Sequence, residues 1–390
     1  MSLRVLHLNS VLSAGGTDDQ CVRLVEGLRH LGIEAQIAGP DGRLFSSICR
    51  AAGVPLHVTP REGPAKLGFI LTAAMIIRRG GHSIVHGHHG RDLWATVFAA
   101  RLSGRRPKVV ITRHLAKSPG SAISKRFLLG QIDVMICVSE FVARVLREGH
   151  RDPSSPEAER HWRPPMRGDF SKLRVIHGGI NTNRFQPRDD AEVAELRKRW
   201  GLSPGEFAFA IVGGFTAPRG KGHREFLKAA ALTRKVLPQA RFLIIGQGDL
   251  EPTLRADIKE LGLEGVAQLT GHCADMPVAM NAINCLVHPQ IGTEAFGLVV
   301  GEAHACGRPV IASDLDGIPE AFLPGKAGRL VPAESVAALV RAMVEVGTEG
   351  VVTWEQRLCM HALVASNLSI TEMSRKVAEL YNGLCQPSPD

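Results

Sequence analysis

Glu294 and Glu302 flank the run Ala-Phe-Gly-Leu-Val-Val-Gly, a Glu-x7-Glu spacing. Two carboxylates invite a glycosidase reading, but that chemistry needs both groups about 5–10 Å apart across one scissile bond. Here a loop-to-helix transition falls between them. Glu294 is expected in the loop and Glu302 one to two turns into the helix, which suits two grips on one long ligand. Ionised carboxylates accept hydrogen bonds from sugar diols, and the free N–H groups behind Phe296, near Gly297 and Leu298, can meet a phosphate. Two unrelated surface acids would leave the same spacing.

Cations stand in a second glycine-rich stretch, Gly213-Gly-Phe-Thr-Ala-Pro-Arg-Gly-Lys-Gly222. It is not a P-loop: five residues, not four, separate Gly214 from Gly220, and Gly222 stands where Ser or Thr would hold magnesium. What remains is a strand-to-helix loop presenting Arg219 and Lys221, which suits a diphosphate bound without a metal. A solvated basic loop is the plainer alternative. Gly15-Gly16 follows a first strand and precedes a helix, where backbone N–H groups and the helix dipole favour a phosphate. A simple turn explains that pair equally well, and tight-turn use is the better reading of Gly246-Gln-Gly248.

Histidines gather at strand ends. His86-Gly-His88-His89 has no Cys or carboxylate at ligand spacing, so it reads as structural histidine and not as a zinc site. His114 closes the next strand, where α/β proteins place residues that face ligands. Asp314-Leu-Asp316 resembles the Asp-x-Asp clamp for metal-bound nucleotides, but it leads into Gly317-Ile-Pro-Glu320 and reads as a turn and helix cap. No metal ligands are assigned.

The elements that must position these groups alternate almost throughout. Val5–Leu8, Ala35–Ala38, Ile84–Val85, Val109–Thr112, Val134–Val138 and Leu173–Ile176 read as buried parallel strands. Asp19–Leu31, Asp92–Leu102 and Glu140–Glu148 carry helical spacing between them. Phe207–Val212, Phe242–Ile245, Val266–Leu269, Cys285–Val287 and Val310–Ala312 repeat the scheme. This predicts an α/β protein of two doubly wound parallel sheets. Residues 149–172, rich in Pro, Arg and Glu and without period, read as a surface insertion in the first domain. The boundary is expected near Pro187, giving domains 1–187 and 188–369, with a final helical segment from Ile370.

The 390 residues are 44% apolar and 22% charged, enough chain for two cores and too apolar for wholesale disorder. The net charge of +9 is uneven: residues 1–187 carry +13 and residues 188–390 carry −4. Eight scattered cysteines without a C-x-x-C pair point to small buried hydrophobes in a reducing compartment. The N-terminus reads as a strand rather than a signal peptide. The longest apolar runs fall well short of the roughly 20 residues of a membrane helix, so a cytoplasmic protein is expected. A nucleic-acid partner is not expected, because no aromatic-basic surface motif accompanies the charge.

Taken in order, these motifs resemble the retaining nucleotide-sugar transferases of glycosyltransferase family 4, with the GT-B architecture. The resemblance runs through Gly15-Gly16, His88-His89, His114, Val138-Ser-Glu140, Ile176–Phe185, Lys221-Gly-His223 and Gly246-Gln-Gly248. It is most specific over Glu294–Ser313. It implies an acceptor-binding first domain, a donor-binding second domain with a cleft between them, and a last helix returning to the first. Glu302 matches the residue holding the donor ribose, Glu294 the one holding sugar hydroxyls, and Phe296-Gly297-Leu298 the backbone near sugar and phosphate. Lys221 matches the phosphate-binding lysine, Gly15-Gly16 the loop over the diphosphate, and His114 the acceptor-side histidine. The family often has Arg where this chain has Gly214, in a loop about two residues longer than usual; Arg219 is expected to supply that cation.

The implied reaction is metal-independent hexosyl transfer, with retention, from a nucleoside-diphosphate sugar to an acceptor hydroxyl, in bacterial-type cell-envelope glycan or glycolipid synthesis. The nucleotide sugar is a co-substrate, and no cofactor is expected. The acceptor is a glycan, a lipid-linked species or a small molecule. Rival readings are a nucleotide-sugar epimerase on the same fold and a silent nucleotide-sugar-binding protein. The basic first domain further suggests peripheral docking on anionic membrane through Arg101, Arg105, Arg106, Lys108, Lys117, Lys125 and Arg126.

Overall fold

The computed structural model describes residues 3–10, 16–60, 67–151, 162–217, 220–323 and 327–386. These form two compact units, and each is an α/β sandwich around one parallel sheet.

The first unit strings together β1 (Arg4–Leu8), β2 (Glu34–Pro40), β3 (Leu56–Thr59), β4 (Ile84–Gly87), β5 (Lys108–Arg113) and β6 (Val134–Cys137). A short antiparallel pair follows, β7 (His150–Arg151) with β8 (Trp162–Arg163), and then β9 (Leu173–Val175). The main sheet has the order β3-β2-β1-β4-β5-β6-β9. Its strands are short and nearly all buried, as expected where helices cover both faces. The predicted strands all form. The edge strand β3 went unread because its pattern is weak: it is four residues long and Val58 faces solvent.

Helices are set by local signals. Ser139 caps Glu140–Glu148 by accepting from the Val142 N–H at 3.0 Å. Gly16–His30 buries Val22, Val25 and Leu28 against β1 and β2, and the final helix Ile370–Cys385 packs on it with Met373, Val377 and Tyr381. Burying each such apolar side chain contributes about 1.5–3 kcal/mol.

The second unit holds β10 (Phe207–Val212), β11 (Ala240–Ile245), β12 (Ala267–Gly271), β13 (Cys285–His288), β14 (Val310–Ser313) and β15 (Gly328–Val331). The order is β12-β11-β10-β13-β14-β15, and its core stacks Phe209 on Phe242 with Phe226 edge-on. The units divide at Gly179/Ile180, somewhat before Pro187. Ile180 belongs to the second because its N–H donates to the Leu368 carbonyl at 2.7 Å and it bridges to Ser369. Residues 149–172 are not wholly superficial: Met166 is buried and its N–H donates to the Leu146 carbonyl. The eight cysteines are all unpaired.

Both sheets reverse direction of growth once, between β1 and β4 and between β10 and β13. At such a switch point the neighbouring loops leave in opposite directions and open a crevice beyond the carboxyl ends of the strands. The candidate residues sit there in each unit.

Candidate active site

In the second unit the loop after β10 brings Lys221 to Glu294, 73 residues away, with Nζ donating to Oε2 at 3.3 Å. His288, the last residue of β13, is fully buried with Nε2 at 4.0 Å from the same carboxylate oxygen. Burial would raise the Glu294 pKa, but the Lys221 charge, the nearby His288, the Lys221 hydrogen bond and the Ala295 N–H outweigh it and hold it below the ordinary value. Burial, helped by Lys221, pushes His288 down to about 4, so it is neutral at pH 7. His223 is likewise lowered to about 4, chiefly by burial, and its Nδ1 accepts the Lys221 N–H at 3.2 Å. Sequence reasoning missed His288; its signal was a polar residue ending a buried strand, the same signal that marked His114.

Two glycines shape this site. Gly222 has φ of 84°, and a side chain there would meet the Pro289 carbonyl oxygen at 1.9 Å, so the loop bearing Lys221 can lie against the β13 loop. Gly297, at φ of 87°, caps the helix Leu298–Ala305 and turns the Glu294 loop into it. Glu302 lies within that helix, half-buried, and Phe296 is buried beneath the turn. Glu294 stands in the loop, as the spacing predicted. Gly214 is different: a Cβ there would meet only the Gln247 carbonyl oxygen, at 3.7 Å, so the fold does not demand glycine. Arg219 lies outside the described residues.

Asp316 takes the turn role expected of it: its carboxylate accepts the Glu294 N–H at 3.2 Å, and the Gly317 N–H donates to the Glu294 carbonyl at 3.1 Å. The carboxylate thus steadies the backbone that presents Glu294.

In the first unit, His88 and His114 follow the ends of β4 and β5, their rings 5.9 Å apart. His7 of β1 joins them, which local spacing did not reveal. Its Nδ1 is hydrogen-bonded to His88 Nε2 at 2.8 Å. His86 is bonded through Nδ1 to the Tyr381 hydroxyl at 2.5 Å and through Nε2 to Thr112 Oγ1 at 2.7 Å. The ligand nitrogens of His7, His86 and His88 lie within 4.8 Å of one another, close enough to share a metal ion, so the structure adds His7 to the group but no Cys or carboxylate.

Burial lowers all of these, His7 to about 3 and His114 to about 4, the latter helped by His89 and Arg113; they are neutral imidazoles. His114 Nε2 is buried without a partner among the described residues. Gly15 lies outside the described residues, and Gly16 is the exposed first residue of Gly16–His30. That first turn already holds Asp18 and Asp19, with Asn9 Nδ2 donating to Asp18 at 2.8 Å. Asp92 accepts from both the N–H and the hydroxyl of Ser10, tying the two loops across the β1/β4 switch point.

The profile described as Glycosyltransferase Family 4 matches residues 14–184, and that described as Glycosyl transferases group 1 matches residues 206–349. The chain belongs to glycosyltransferase family 4. It is an enzyme, a glycosyltransferase. The D-inositol 3-phosphate glycosyltransferase of Streptomyces scabiei is 27% identical over 374 residues, covering 87% of this chain and 80% of that one. The putative glycosyltransferase EpsD of Bacillus subtilis is 28% identical, covering 80% of each. A glycosyltransferase from Rickettsia africae superposes with a TM-score of 0.82 at 20% identity, covering 99% of this chain and all of that one. Anabaena Alr3699/HepE, solved with UDP and glucose, gives 0.78 at 18% identity, covering 98% of this chain and all of that one. These neighbours carry the GT-B fold of two Rossmann-like halves, as does this family 4 chain.

Proposed function

We propose that this glycosyltransferase transfers a hexosyl unit from a nucleoside-diphosphate sugar to an acceptor hydroxyl with retention and without a metal. The Lys221–Glu294 pair carries the reading: a cation for phosphate and an ionised carboxylate for sugar hydroxyls stand together at the switch point of the second sheet. Donor binding replaces their mutual contact, with Lys221, Arg219 and the amino end of Leu298–Ala305 meeting the diphosphate, Glu294 the sugar and Glu302 the ribose. Gly214 stands in the same loop as Lys221, and for Gly15 and Gly16 the family resemblance is what supports a role at the diphosphate.

The bond from the anomeric carbon to the diphosphate breaks while the acceptor oxygen bonds to that carbon on the same face. A donor phosphate oxygen takes the acceptor proton, and Lys221 and Arg219 stabilise the developing charge. His114, neutral and without a partner at Nε2 among the described residues, is suited to hold an uncharged hydroxyl.

Calorimetry tests the grip. Glu302→Ala is expected to weaken both nucleoside diphosphate and donor by about 1.5–3 kcal/mol, whereas Glu294→Ala spares the diphosphate. Unchanged affinities in both variants would refute the assignment. Activity is expected to persist in EDTA, and anomeric NMR of the product reads retention. A screen of sugar and polyol acceptors should include inositol phosphates, given the names of the relatives.

The finer proposal is a membrane-held acceptor, in cell-envelope glycan or glycolipid synthesis. Supporting it, Phe98, Leu102, Ile123 and Phe127 are exposed near Arg101, Lys125 and Arg126, joining apolar to basic surface. Lys108 contributes less, since it pairs with Asp133 at 3.2 Å. No helix among the described residues is long and apolar enough to cross a membrane. Retention on anionic but not zwitterionic vesicles, lost in high salt, is the expected result; no retention at low salt refutes docking.

A further inference from the structure

The second unit has a cavity of about 720 Å³ at the amino ends of its strands, below Phe207 of β10 and Asn284, which precedes β13. The Lys221–Glu294 pair lies at the opposite ends of the same two strands. Six residues of β10 separate the two edges, about 20 Å of extended chain. The volume is that of a small-ligand pocket.

Three cations line it: Arg197 and Lys198 from the helix Asp190–Arg199, and Arg308 from the turn after Leu298–Ala305. Arg308 is 4% exposed, its Nη2 donates to the Asn281 carbonyl, and its Nε is buried without a partner among the described residues. Arg197 donates to the carbonyls of Ala282 at 2.6 Å and Glu206 at 3.1 Å. Arg357 stands behind the wall, donating to Asn281 Oδ1 at 2.5 Å, with its own Nε buried and unpartnered among the described residues.

Carbonyl groups hold these guanidiniums in place, and no carboxylate among the described residues is in ion-pair contact with Arg197 or Arg308. Two acids share the wall, Asp190 and Glu206, and act on these cations from a distance without an ion-pair contact to them. Glu206 is paired with Arg241, and Asp190 is an exposed residue that makes no ion pair with the arginines. Burial, then the neighbouring Arg357, push the Arg308 pKa down to about 9, outweighing the opposing effects of Cys306 and Asp190. Keeping a desolvated guanidinium unpaired is costly, and an anion seated in the cavity removes that cost.

We infer that this cavity is a second ligand site, distinct from the donor site, for a small phosphorylated metabolite. Arginine forks match the tetrahedral, multiply charged phosphate group. The amide nitrogen of Asn284 makes no hydrogen bond among the described residues, because the side chain's Oδ1 accepts from the Ala208 N–H. The space beyond the cations is walled by Val193, Leu202, Phe207 and Val351, which suits the organic part of such a ligand and leaves inorganic phosphate too small to fill it.

The test is a thermal-shift and calorimetric titration of the full chain with glucose 6-phosphate and with inorganic phosphate. Ionic strength is held constant with chloride as the control. A saturable shift is expected with glucose 6-phosphate, stronger than with phosphate. It should survive Lys221→Ala, vanish in Arg197→Gln, and weaken at least tenfold in Lys198→Gln. Lys198→Gln changes an exposed side chain and keeps the test alive should Arg197→Gln fail to fold. No shift beyond the chloride control overturns the proposal. So does a shift that persists in both helix variants, or one lost in Lys221→Ala, which would place the anion in the donor site alone.

Discussion

At the strand ends of the first unit, His7, His86 and His88 are buried together with the half-buried His114 beside them, and all four are held neutral. At the matching edge of the second unit, Lys221 and Glu294 keep opposite charges, with neutral His288 below them. Both crevices arise from the same sheet topology, so topology does not set their chemistry. The difference lies in counter-charges. Glu294 stays ionised although burial opposes it, because a cation is in contact. The histidine cluster meets mainly other imidazoles, and like charges close together in a desolvated site favour the uncharged form. One crevice thus presents opposite charges and the other neutral imidazoles, and the proposed donor and acceptor roles rest on that difference.

Acid should break the contrast most severely. The histidines titrate near 6.5 when unfolded but at about 3 (His7) and about 4 (His114, His223, His288) when folded. The unfolded chain therefore binds more protons below pH 6.5, and stability present above that pH drains away as pH falls toward 4. Each buried histidine contributes about 1.4 kcal/mol per pH unit. Urea unfolding at pH 7.5, 6.5 and 5.5 should show a steep decline below 6.5; a flat profile would mean that the cluster charges in place.

Next in size is the loss of the charged pair. Glu294→Gln should lower kcat/KM by about 10²–10³, or roughly 2.7–4 kcal/mol of transition-state stabilisation. Nucleoside diphosphate affinity should hold or rise, because Lys221 is released from its carboxylate. Lys221→Ala should lower both. Steady-state kinetics beside calorimetry separates the two, and parallel losses in both variants would contradict the division of labour.

Tyr381→Phe sharpens the contrast from the other side. It leaves His86 Nδ1 without its hydroxyl partner in a fully buried place and should cost about 1–3 kcal/mol of stability. Since Tyr381 lies on the final helix, hydrogen exchange along Ile370–Cys385 should quicken while donor affinity stays unchanged. The smallest effect is expected from Gly214→Arg. With room at that position, stability should move by no more than about 0.5 kcal/mol, and donor affinity should rise modestly by calorimetry. A marked loss of stability would show that the loop needs glycine after all.

What could be read from the chain itself was whatever depends on neighbours in sequence. The β-branched runs such as Val134–Cys137 and Phe207–Val212, the Ser139 cap, and the placement of Glu294 before and Glu302 within one helix follow from periodicity and from local turn chemistry. So does the position of His114 at a strand end. Tertiary structure alone decided which of these meet. Lys221 finds Glu294 because β13 inserts beside β10, skipping two strands, and His7 finds His88 because β4 does the same beside β1. Tyr381 reaches His86 from the far end of the chain, and Ile180 joins the second unit through Leu368. Hydrophobic period tells a segment which face to bury but not which neighbour to take, so strand order, and with it the charge around each crevice, is settled only when the sheet assembles.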